Sequence, residues 1–170
     1  ESSGMTGVCV SLKPQNIEDI TALIALYRPG PMDSIPKFIA CKHDPSKVTY
    51  LIPQLEPILS ITYGCIVYQE QVMQIFRELA GFSFGQADNV RRAMSKKKHA
   101  VMEAEREHFV HGCTEPGHEC PGCVANGIPE QVANQIYDEM SSFASYAFNK
   151  SHAACYAYVA FQTAYLKCHY

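Results

Sequence analysis

A chain of 170 residues is long enough for one domain with a sizeable core, or for two small ones. Its 47% hydrophobic and 18% charged content is that of a globular protein and excludes a disordered polymer. The net charge of −3 argues against a free-standing, high-affinity nucleic-acid binder, although Arg91, Arg92, Lys96, Lys97 and Lys98 form one local basic run. Residues 1–15 show little periodicity and read as an irregular or partly extended lead-in. Asn16 can cap a helix in which Ile17, Ile20, Leu23, Ile24 and Tyr27 recur at helical spacing. Pro29 and Pro31 end it and leave Arg28 at its C-terminal end, where a cation complements the dipole. Residues 32–60 are punctuated by prolines, with short helices expected around 37–42 and 54–60. Gly64 to Tyr68 is the one convincing strand candidate.

A helix follows with Val72, Ile75, Phe76 and Leu79 on its buried face and Gly81 closing it. Ser83 and Gln86 make a capping box for the next, which carries Ala87, Val90, Ala93 and Met94 on one face. The lysines at 96–98 end or break that helix, and a charged helix runs from His99 to Gly112. Pro129 suits the first turn of another helix, whose stripe is Val132, Ile136, Met140 and Phe143. The segment 145–170 reads as a long helix with wide apolar coverage in its second half, which is expected to be buried. The pattern predicts a mainly α, irregular architecture with at most a short β element. No apolar run approaches a membrane span and no signal peptide is visible, so a reducing cytoplasm is the expected setting. Both ends have the look of cuts within a longer chain.

Two stretches carry chemistry. Asn149, Lys150, Ser151 and His152 offer an amide, a fixed cation, a hydroxyl and an imidazole in one run, with Ser151 a plausible N-cap. A helix start beside a lysine suits an anion. The second stretch is Cys113, His118, Cys120 and Cys123, spaced Cys-x4-His-x-Cys-x2-Cys. Three thiolates and one imidazole make a closed tetrahedral set, so a structural zinc ion is expected in a loop spanning 112–124. His108 or His111 could replace His118 as the fourth ligand, and a flexible loop with free thiols or a Cys120–Cys123 disulfide is the simpler alternative.

Four separated stretches stand in order: ALYRPGPM (25–32), TYGCIVYQEQVMQI (62–75), ADNVRRAMSKKK (87–98) and FNKSHAACYA (148–157). Together they resemble the bacterial DNA polymerase III alpha subunits, the C-family replicative polymerases. The resemblance runs over nearly the whole chain and departs from many members at GCTEPGHECPGC (112–123). It implies that residues 1–15 lead in from the family's palm region and that 16–170 form the fingers, which bind the incoming deoxynucleoside triphosphate and template–primer DNA. Other replisome subunits are implied as partners of the full chain. Arg91, Arg92, Asn149, Lys150, Ser151 and His152 become the candidate triphosphate contacts, and Tyr156, one turn on, could pack against the nascent base pair. Catalytic carboxylates belong to the palm, and this chain has no Asp-x-Asp pair to hold the magnesium ions of phosphoryl transfer. The segment is therefore expected to be inactive alone. Without the resemblance, the arginines and lysines are a solvated helix end. A zinc-stabilised helical module that binds nucleic acid or protein is the alternative reading.

Overall fold

The computed structural model describes residues 2–96, 99–144 and 147–170. The lead-in expected to be irregular is a helix, α1 (Ser3–Leu12). The Ser2 hydroxyl accepts from the Met5 amide, and Thr6 and Ser11 return their hydroxyls to carbonyls four residues back. Such side-chain bonds and the flanking glycines hide the helical pattern in the sequence. Gly4 packs under the Tyr27 hydroxyl, which would have to shift to admit a Cβ there.

Asn16 caps α2 (Ile17–Leu26) as the pattern predicts, its side chain accepting from Asp19 N at 2.9 Å. Pro31, Pro45 and Pro53 each open a short 3-10 turn. Between these turns lies α3 (Ile35–His43), and α4 (Glu56–Leu59) follows. The predicted strand at 64–68 is an extended segment that makes a single parallel bridge, Tyr68 to Phe148. The remaining helices are α5 (Gln69–Ala80), α6 (Phe84–Ser95), α7 (His99–His111), α8 (Gly122–Ala125), α9 (Glu130–Ala144) and α10 (Lys150–His169). Ser83 and Gln86 form the expected capping box. Lys97 and Lys98, the end of the basic run, lie outside the described residues.

Two apolar cores divide the chain. The larger gathers α4 to α9 around Phe76, whose ring meets Phe82, Phe109 and Tyr137 with centroids 5.2, 5.0 and 6.0 Å away. The smaller joins α1, α2 and α3 to residues 65–68 and Ala153. Beside it lies a buried acid, Asp19, 2% exposed, which accepts from the Tyr63 hydroxyl at 2.7 Å and Gln15 N at 2.8 Å and pairs with Lys42 at 3.5 Å. Burial and the Asp19 carboxylate push the Tyr63 phenol up to about 12.

A buried amide, Gln71, holds the approach to α5. Its Oε1 accepts from Val67 N and Tyr68 N, both at 2.9 Å. Its Nε2 donates to Ile58 O at 3.2 Å and to the Thr62 hydroxyl at 2.8 Å. All of the bonding capacity of that amide is used. α10 corrects the expectation of a buried second half. Ala153 and Ala157 are buried against α2, but Tyr158, Phe161 and Tyr165 are 59%, 55% and 52% exposed. Apolar residues lie all round α10, and the described elements cover one side of it. Among the described residues no helix is long and apolar enough to cross a membrane.

Candidate functional site

The N-terminus of α10 is capped by Asn149, not Ser151: the Asn149 Oδ1 accepts from His152 N at 2.9 Å, and Ser151 is exposed within the first turn. The extended backbone at Asn149 is what an N-cap requires, and Lys150 already has helical geometry. The anion position at this helix start holds an internal carboxylate. Glu70, on the first turn of α5, accepts from Asn149 Nδ2 at 2.8 Å and from Lys150 N at 3.1 and 3.2 Å. The Lys150 ammonium pairs with Glu18 of α2 at 3.1 Å and lies 5.5 Å from the centre of the Tyr68 ring. Tyr68 is 1% exposed, its hydroxyl has no partner among the described residues, and burial raises its pKa.

Arg91 and Arg92, adjacent on α6, meet on one acid. Asp88 Oδ1 accepts from Arg91 Nε and NH2 at 2.9 and 2.7 Å, and its Oδ2 pairs with Arg92 NH2 at 2.8 Å. The hydrogen bond from Arg91 holds the Asp88 carboxyl below the usual carboxylate range. Arg91 also donates from NH1 to Gln69 Oε1 at 2.9 Å. Arg91 and Asn149, 58 positions apart in the chain, thus line one cleft of about 370 Å³ between α5, α6 and the start of α10. Glu70, Arg77 and Phe84 line it too. Arg92 extends outward, its side chain 64% exposed.

His152 and Tyr156 follow on α10 as a ladder of tilted and edge-on rings. Arg28 sits 4.5 Å over the Phe148 ring, Phe148 and His152 are 5.4 Å apart, and His152 and Tyr156 are 4.9 Å apart. Arg28 also donates from Nε to Ala25 O, in the last turn of its own helix, at 2.9 Å. Sequence reasoning missed Gln69, Glu70 and Asp88. Asp88 carried a signal, because it precedes both arginines by three and four positions on a helix. Glu70 carried none, since its partners are 79 and 80 positions away.

The Cys-rich loop is more ordered than a flexible turn. Cys113 and Cys120 form an antiparallel bridge, exchanging both N–H···O bonds at 2.9 Å. Gly122 and Gly112 pack backbone to backbone, and a Cβ on Gly122 would lie 2.3 Å from Gly112 N. Cys123 is fully buried, and burial pushes its thiol up to about 12. The Cys120 thiol faces His108 O at 3.6 Å. His118 lines a small hollow with His108 and Glu105. Among the described residues no three His, Cys, Asp or Glu side chains are arranged to hold a metal ion.

Comparison with known proteins agrees with the stretches singled out in the sequence. The family described as "Bacterial DNA polymerase III alpha subunit finger domain" matches residues 1–117. The chain is 50% identical over all 170 residues to the DNA polymerase III subunit alpha of Staphylococcus aureus strains Mu50 and N315. It is 48% identical to that of Staphylococcus epidermidis. It spans 15% of the length of each of these relatives. By the family match and by identity along its full length, this chain belongs to the finger domains of the bacterial DNA polymerase III alpha subunits.

Proposed function

We propose that this finger domain receives the incoming deoxynucleoside triphosphate and the template–primer end for a replicative DNA polymerase. In this reading the full-length polymerase is the enzyme, a cytoplasmic DNA-directed nucleotidyltransferase working with other replisome subunits, and this segment is one part of it. The observation that carries the reading is the convergence of Arg91 and Asn149 on one cleft from separate helices. Cations on a finger domain meet the charge of a pyrophosphate leaving group when the domain closes. Lys150, Ser151 and His152 sit on the first turn of α10 beside that cleft, and Arg92 shares the acid of Arg91. Tyr156, half exposed at the end of the Phe148–His152 ladder, offers a face to the nascent base pair. The magnesium ions of the reaction would be held by carboxylates outside this segment. Hydrogen exchange on the full polymerase with primed DNA is expected to show triphosphate-dependent protection of residues 148–156. Protection centred on 108–125 instead would favour a separate interaction module.

A structural zinc ion held by Cys113, Cys120, Cys123 and His118 is a second proposal. Its support is the register that sets Cys113 opposite Cys120, with Cys123 three residues on after a Pro-Gly turn. The side chains would have to rotate to converge on an ion, and the thiols would be bound as thiolates despite the burial that raises Cys123. Protein purified without chelator is expected to contain about one zinc per chain. Metal-free protein whose three loop cysteines alkylate freely under native conditions would overturn the proposal.

A further inference from the structure

The first three residues of α5 each send a side chain to a different part of the molecule. Gln69 reaches α6 and takes an N–H of Arg91 at 2.9 Å. Glu70 reaches α10 and takes the Asn149 amide and the Lys150 N–H. Gln71 turns inward and fixes residues 58–68. The backbone adds a fourth tie, because Gln69 N donates to Phe148 O at 3.0 Å. The two groups of candidate triphosphate contacts, on α6 and on α10, therefore share one short anchor.

We propose that Glu70 is a positioning residue for the nucleotidyl transfer reaction: it seats the start of α10, and with it Asn149 and Lys150, at a set distance from Arg91. The inference rests on the triphosphate reading above and deepens it. A carboxylate suits this place for two reasons. It accepts from a side-chain amide and a helix N-terminal N–H together, and its charge is favourable at the positive end of the α10 dipole. Gln71 keeps the anchor from shifting, since moving α5 relative to residues 58–68 would break four buried hydrogen bonds. Glu70 need not touch the nucleotide to matter. A displacement of about 1 Å in a contacting group can cost on the order of 100-fold in rate.

The test uses the full-length polymerase on primed DNA, with single-turnover incorporation measured over a range of triphosphate concentrations. Glu70→Ala is expected to lower the saturating rate by about 10- to 100-fold. Glu70→Gln, which keeps one acceptor and the side-chain length, is expected to fall between Glu70→Ala and wild type. In a Lys150→Ala background, Glu70→Ala is expected to cost less than it does in wild type, because one of the two contacts it positions has gone. Three results would overturn the inference: a wild-type rate in Glu70→Ala, an undiminished effect of Glu70→Ala in the Lys150→Ala background, or tighter triphosphate binding in Glu70→Gln at an unchanged rate. The last would make Glu70 a competitor of the phosphates. Wild-type rates in both Lys150→Ala and Arg91→Ala would instead sink the triphosphate reading itself, so the two failures are distinguishable.

Discussion

Replacing Arg91 by alanine in the full-length polymerase is expected to slow single-turnover incorporation by about 100- to 1,000-fold, the usual cost of removing one preorganised donor from developing charge. Lys150→Ala is expected to act in the same direction and less strongly, because Lys150 would first have to leave Glu18 to meet a phosphate, whereas Arg91 already lines the cleft. Neither change should unfold the protein. The Asp88–Arg91 and Glu18–Lys150 pairs are partly solvated, with side chains 21–39% exposed, and such pairs contribute about 1 kcal/mol or less. Measuring the rate beside thermal unfolding separates the effects. Wild-type rates in both variants would refute the triphosphate role, and a collapse of Tm in step with the rate would reassign the residues to the fold.

The largest expected loss of stability comes from Gln71→Leu. Leucine matches the volume roughly but carries no polar atom. It would leave Val67 N, Tyr68 N and Ile58 O without their present partner in a site where Gln71 is 3% exposed. Each buried orphan costs about 1–3 kcal/mol, so a loss of at least 3 kcal/mol is expected in denaturant unfolding. A loss below about 1 kcal/mol would show that the 58–68 segment re-bonds elsewhere. Because Gln71 also steadies the anchor under Arg91 and α10, incorporation should fall even at temperatures where the variant stays folded.

Helices α2, α5, α6, α7 and α9 were legible because each has a periodic apolar face or a capping pair that acts over three or four residues. The polar run 149–152 was legible as a helix start for the same reason: its groups are neighbours in the chain. What escaped depends on distance. Glu70 finds α10 across 79 positions, and Gln71 finds Ile58 by the tertiary fold. α1 was missed because Gly4, Gly7 and its hydroxyl residues are poor helix formers, and packing of Leu12 and its neighbours overrides propensity. The exposure of α10 was missed because apolar composition reports that a surface can be buried, not that these residues bury it. Asn149 and Ser151 are both good cap residues two positions apart, and propensity alone does not decide between them.

Ala153 and Ala157 make the pairing of α10 with α2 a fulcrum. Two methyl groups one turn apart allow the two helix axes to lie close, and the axis beyond them is a rigid rod. From Ala157 to His169 the rod is about 18 Å long, so a tilt of 10° at the alanines sweeps its tip by about 3 Å. The same tilt moves the Asn149 end in the opposite direction, by less, because that arm is shorter. A bulkier residue at 153 or 157 would thus re-aim both ends at once. Leverage of this kind would let a load on the exposed arm be felt at the cleft, with the thickness of a methyl pair as the gauge.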